Sequence, residues 1–333
     1  MSTADPLALD APVRTWLRRI DEIIADLPGH GSADPTVHRR AARILSDLLA
    51  AEFTDPPPAG IETEELRLTG ADGPLRARRF RPAAAPGPLP TMLWLHGGGW
   101  VAGTIDELLN ERTTADRALR SGVQIVALEY RLAPEHPFPA PVDDAVAALA
   151  ALRARASELG ADPERLGIGG NSAGATIAAS AALRERDAGR RLHHQALEVL
   201  PATLRPLGGP SDPRRRASGM DGAEHLAEIY RAGAPLADCS PLDAADHRGL
   251  APALILAAEL DPLRDGAIAY ARTLEEAGVP VALRVGAGHV HGSPGLTAWR
   301  GARDWRDVFV AEIAAAYASE RPHHPTPDPR GRR

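Results

Sequence analysis

The sequence predicts an α/β protein: a mostly parallel central sheet flanked by helices and carrying a small helical cap. Three observations predict it. From Thr91 onward, short runs that are apolar on both faces alternate with helical stretches, as strands covered from two sides require. One of these runs passes through a glycine-rich turn at 170–174 directly into an Ala-rich helix. The chain of 333 residues, 44% apolar and 25% charged, has enough apolar material to bury such a sheet in one domain.

The elements follow in order. Trp16, Leu17, Ile20, Ile23, Ile24 and Leu27 recur at helical spacing over residues 14–28, and a second amphipathic helix is expected from about Pro35 to Phe53. The proline-rich connector at 55–60 cannot continue a helix, so residues 1–54 are expected to form a cap segment and residues 55–320 the core domain. Next, ELRLTG and LRARRFRP flank the turn signal Ala71-Asp72-Gly73, which predicts an edge hairpin. The alternation then runs through TMLWLHG, a helix near 106–121, QIVALEY, a helix near 141–159, RLGIGG and the helix from Ala173. It resumes with ALEVLPA, PALILAAEL and VALRVGA. Between Thr203 and about Leu250 the rhythm breaks, and residues of about 204–250 read as an insertion completing the cap. Its basic run Arg214-Arg215-Arg216 reads as a solvated face. Pro and charge dominate residues 321–333, which are expected to be disordered.

Composition narrows the function classes. Net charge is −6, and all 38 basic residues are Arg, scattered along the chain, which looks like codon bias and argues against nucleic acid as a partner. The single Cys239 has no partner for an internal disulfide and no ligands at metal spacing. The first residues lack the basic start and apolar run of a signal peptide, and no stretch approaches the length of a membrane span. A cytoplasmic location is the expectation.

The sharpest local signal is Gly170-Asn171-Ser172-Ala173-Gly174 between a strand and a helix. A serine there takes a strained backbone and presents its hydroxyl above the sheet edge, and its close neighbours two residues away must be Gly. The second signal, His96-Gly97-Gly98-Gly99-Trp100, ends the strand TMLWL. Its glycines let the backbone approach a reacting carbonyl and offer N–H groups, with that of Ala173, as an oxyanion hole. A phosphate cradle is disfavoured, because the G-x-G-x-x-G spacing is absent and there is no Lys for a P-loop. A nucleophilic serine needs a base and an acid partner later in the chain. Asp261 follows PALILAAEL at a strand's carboxyl end, with Glu259 still inside the strand and Asp265 read as a helix cap. His291 and His289 both lie in the loop AGHVHGS after VALRV.

With HGGGW at 96–100, EYRLAPEHPFPA at 129–140, GNSAG at 170–174, DPLRD at 261–265 and HVHG at 289–292, the chain resembles the hormone-sensitive lipase, or GDXG, family of bacterial esterases. The resemblance spans about residues 64–315 and the helical front segment. It implies the α/β-hydrolase fold, a triad of Ser172, Asp261 and His291, and Gly97, Gly98 and Ala173 as oxyanion donors. EYRLAPEHPFPA is expected to be structural, its prolines and Arg131 fixing a loop. The chain departs from the family at Asn171, usually Asp, at Ala175, often Gly, and at Ser293, usually aromatic. These departures touch the pocket rim, which is expected to include Trp100, Phe138 and Asn171. Expected chemistry is hydrolysis of small, short-chain esters without metal or organic cofactor, the substrate being the one implied partner and a homodimer being compatible with the family. Amide cleavage with the same triad, or ligand binding on an inactive scaffold, are the alternatives.

Overall fold

Every apolar run from Thr91 onward becomes a strand, and all of them join one sheet. The computed structural model describes residues 8–205, Arg214, Met220 and 222–318. Two helices come first, α1 (Ala11–Asp26) and α2 (Pro35–Phe53), followed by the hairpin β1 (Ile61–Gly70) and β2 (Gly73–Pro82). Then come β3 (Leu89–Leu95), α3 (Leu108–Ser121), β4 (Gln124–Leu128), α4 (Ala140–Ala154), α5 (Ala156–Leu159), β5 (Ala161–Asn171), α6 (Ala173–Asp187) and β6 (Gln195–Glu198). After β6, α7 (Ala223–Arg231) and the single turn α8 (Leu236–Cys239) lead to β7 (Ala253–Ala258), α9 (Arg264–Glu276), β8 (Val281–Gly286) and α10 (Arg300–Ala318).

Strand order is β1-β2-β4-β3-β5-β6-β7-β8. The hairpin pairs antiparallel with itself and with β4 at one edge, and every other pair is parallel. Parallel strands place their carboxyl ends on one side of the sheet, where β3, β5, β7 and β8 deliver the four loops that build the site. Leu93, Leu95, Ile125, Leu128, Ile168 and Leu197 are fully buried, each contributing roughly 1.5–3 kcal/mol by removal from water. Helix α6 shows no apolar stripe because nearly every side chain from Ala173 to Ala182 is buried on all sides, behind the sheet. Cys239 is buried and its thiol donates to Pro235 O, in keeping with a packed residue.

Three expectations are corrected in detail. The helix expected over 141–159 is broken at Arg155, whose φ of −104° and ψ of 16° leave the helical region. Glu259 lies just beyond β7 and accepts a hydrogen bond from Gly288 N at 2.7 Å, so it braces the histidine loop instead of continuing the strand. Asp265 sits in the first turn of α9, whose N-cap is Leu263, and pairs with Arg264. The expected tail at 321–333 lies outside the described residues, as do Arg215 and Arg216; Arg214 lies 3.6 Å from Asp265.

The front segment is tied to the loops at the strand ends. Arg39 donates to Val101 O and Ala133 O, each at 2.8 Å, and Asp47 accepts from Leu108 N at 2.8 Å, capping α3. Arg112 reaches back to Ala50 O and Thr54 O, and Thr54 donates to Gly295 O at 2.7 Å. Among the described residues, no helix is long and apolar enough to cross a membrane.

Candidate active site

Ser172 joins β5 to α6 with φ 53° and ψ −124°, a region that costs a non-glycine residue about 1–3 kcal/mol. What holds it there is a tight turn. Ser172 N donates to Glu198 O on β6 at 2.9 Å, while Ser172 O accepts from Ala175 N at 2.8 Å as α6 begins. The flanking glycines are demanded by backbone contact: a Cβ on Gly170 would lie 2.5 Å from Gly174 C, and one on Gly174 would lie 2.5 Å from His96 O. Any side chain at either position would push the turn off the sheet.

The loop after β8 brings His291 over this serine. His291 Nε2 lies 2.8 Å from Ser172 Oγ, and Nδ1 lies 2.7 Å from Asp261 Oδ2. A carboxylate only accepts, so Nδ1 carries the proton and Nε2 is left to accept the serine hydroxyl. Asp261 is buried, and its other oxygen accepts from Leu263 N at 2.9 Å, which fixes the carboxylate plane. His289, two residues away in the same loop, is buried. It is packed between Trp299 and Trp305, its Nδ1 lies 2.8 Å from Ser293 Oγ, and burial pushes its pKa down to about 4. Ser293 also donates to Val290 O and accepts from Val290 N, so this departure from the family pattern organises the turn that carries His291.

The glycine run lies against the serine. A Cβ on Gly97 would fall 3.3 Å from Ser172 Cβ, and Gly98 and Gly99 have φ of 125° and 61°, conformations suited to Gly. Behind the run, His96 donates from Nδ1 to Gly97 O at 2.8 Å and stacks on Tyr130 at 4.4 Å. Tyr130 in turn donates to His96 O at 2.7 Å, and Glu129 accepts from Thr104 and Ile105 N, both at 2.9 Å. The segment 129–140 therefore supports the glycine run as well as its own loop, which Arg131 ties to the fully buried Asp144.

Two cavities meet at Ser172 and His291. One, of about 260 Å³, is bounded by Trp100, Leu204, Leu226, Ala227 and Leu263 and is largely apolar. Trp100 stacks on Tyr230 of α7 at 4.9 Å. Phe138, expected beside the acyl pocket, lines neither cavity; it meets the edge of Tyr230 at 6.0 Å and lies under Arg184. The other cavity, of about 290 Å³, is bounded by Gly97, Asn171, Glu107, Asn110, Arg117, Glu198 and Arg306 among others. Arg117 and Glu198 form a buried ion pair at 2.6 Å, with the guanidinium between the rings of Trp94 and Phe309 and Trp305 Nε1 donating to Glu198 at 2.8 Å. Burial pushes the Glu107 carboxyl up to about 7. Sequence reasoning missed these polar groups, because Glu198 is 81 positions from Arg117 and none of Glu107, Arg117 and Glu198 sits in a motif.

Comparisons agree with this geometry. A family profile described as the alpha/beta hydrolase fold matches residues 92–294. Carboxylesterase NlhH of Mycobacterium tuberculosis is 36% identical over 239 residues, covering 68% of this chain and 74% of that protein. Ethyl acetate hydrolase of Pseudomonas putida is 36% identical over 264 residues, covering 76% and 81%. Among solved structures, an ester-hydrolase from the metagenome of Lake Arreo, complexed with a derivative of bipyridine phosphonate, superposes with a TM-score of 0.84 at 33% identity over 93% of this chain and 100% of that one. The chain thus belongs to the hormone-sensitive lipase (GDXG) group of the α/β-hydrolase fold, a family of serine carboxylic ester hydrolases.

Proposed function

We propose that this protein hydrolyses carboxylic esters with short acyl chains, through Ser172 as nucleophile, His291 as general base and Asp261 as the group that orients the imidazole. The observation that carries this reading is the chain of hydrogen bonds from Ser172 Oγ through His291 to the buried Asp261, set beneath a glycine run. His291 Nε2 takes the hydroxyl proton as Oγ bonds to the ester carbonyl carbon. Negative charge moves to the carbonyl oxygen, where the N–H groups of Gly97, Gly98 and Ala173 are the donors. Collapse of this intermediate breaks the bond to the alkoxy oxygen, which leaves with the proton from His291. Water, deprotonated by His291, then attacks the acyl-enzyme and releases the acid and Ser172. The modest volume of both cavities supports short arms on each side of the scissile bond. We read α1, α2 and α7 as a cap, supported by Trp16 lying against Gly292 and Leu226 against Gly99.

The test is a series of p-nitrophenyl esters from acetate to decanoate, hydrolysed by the wild type and by Ser172→Ala. Activity that peaks at short chains and disappears in the variant supports the reading. A folded wild type that cleaves none of them overturns it.

A further inference from the structure

Given the esterase reading, we propose that the polar cavity beside Ser172 binds a hydroxyl-bearing arm of the substrate, with the Glu107 carboxyl group as the acceptor that selects it. The cavity shares Gly97, Ser172 and His291 with the reacting centre, so any arm placed in it is attached next to the scissile bond. Its wall charges are mixed: Glu107 and Glu198 face it together with Arg117 and Arg306, which favours a neutral polar group over an ion.

Within that wall the charges are not equivalent. Arg117 and Glu198 satisfy each other and Trp305, leaving neither in need of a ligand. Glu107 is 8% exposed and, among the described residues, has no salt bridge within 4 Å; its Oε2 takes neutral donors only, Ser46 Oγ at 3.0 Å and Asn110 Nδ2 at 3.3 Å. Arg306, on the same wall, has a buried Nε without a hydrogen-bond partner. A hydroxyl group both donates and accepts, so an arm bearing one or two of them can add a donor to the Glu107 carboxyl group, which holds neutral partners only, and offer an acceptor to the unpaired Arg306 Nε. A plain alkyl arm would bring Glu107 no donor beyond Ser46 and Asn110 and would leave Arg306 Nε without a partner. Esters of glycols or polyols and esters of hydroxy acids carry this chemistry in the alcohol and the acyl arm respectively.

Two matched pairs test the proposal and distinguish the arms: ethyl acetate against 2-hydroxyethyl acetate, and ethyl butyrate against ethyl 3-hydroxybutyrate. The expected result is a kcat/KM preference of about tenfold for the hydroxylated member of one pair, the size a site built around a hydrogen bond provides. Glu107→Ala is expected to reduce that preference to near unity, and Glu107→Gln, which keeps an acceptor oxygen, to retain part of it. Absence of a preference in both wild-type pairs overturns the proposal whether or not the variants fold, and so does a preference that survives in Glu107→Ala. Failure of the wild type on all four esters would instead remove the esterase reading on which the proposal rests.

Discussion

The two cavities that meet at Ser172 are built from different parts of the molecule. The apolar one is walled by α7 and by residues 201–205 after β6, where Leu226 is only partly buried. The polar one is walled by β6, α3 and α10, elements that also hold the sheet together, and it contains a buried ion pair sealed by three aromatic rings. Selectivity on the apolar side can therefore change without touching the core, whereas the β6, α3 and α10 walls of the polar side are part of the core itself, with Ala42 and Ser46 of α2 completing the lining. Any substitution there acts on stability and recognition at once.

The largest expected effect falls on the group common to both sides. His291→Ala should lower kcat/KM by about 10³-fold or more for esters that fill either cavity, and steady-state rates on both substrate types would check it. A loss confined to one type would break the picture of a single shared centre. Next comes Glu198→Ala, which strands Arg117 without its counter-charge and should cost about 3–5 kcal/mol, lowering Tm by roughly 10 °C in a thermal melt. Leu226→Ala on the apolar side should cost only about 1 kcal/mol and lengthen the preferred ester chain, since it removes bulk from a partly exposed wall. A chain-length profile unchanged by this variant would show that the apolar cavity holds no substrate arm.

The remaining effect is a slope. Folded Glu107 keeps its proton up to about pH 7, while in the unfolded chain it releases it near the ordinary 4.5. Between those values the folded state binds more protons, so this group makes stability fall as pH rises, by at most about 3 kcal/mol. Glu107→Gln should flatten that part of the stability curve between pH 5 and 8 in urea titrations. His289 has the opposite sign: it stays neutral in the fold down to about pH 4, so its contribution is present above its ordinary 6.5 and is lost on acidification.

How much of this was legible in the sequence depends on whether the signal was local. The turn around Ser172 and the glycine run could be read directly, because their chemistry is a matter of backbone conformation at adjacent residues. Strand and helix alternation was legible for the same reason, and its boundaries failed where Arg155 breaks a helix, where Glu259 leaves its strand and where β6 ends at Glu198, short of the run ALEVLPA. Choosing between His289 and His291 needed the family pattern, since both sit in one loop and only packing against Trp299 and Trp305 separates them. Phe138 was misplaced because an aromatic near a site is as readily a strut for Tyr230 as a pocket wall. The polar cavity was invisible: Arg117 and Glu198 look like surface charges on a helix and a strand until the fold brings them together across 81 positions.

In the proposed reaction Ser172 is a nucleophile made reactive by His291 and Asp261. The most direct measurement is stoichiometric labelling by a phosphonate ester probe, followed by intact mass and peptide mapping, for the wild type and for Asp261→Asn and Ser172→Ala. The account predicts one adduct per chain, located on Ser172, formed far more slowly in Asp261→Asn and absent in Ser172→Ala. Labelling that persists in Ser172→Ala, or that maps to another residue in the wild type, would contradict it.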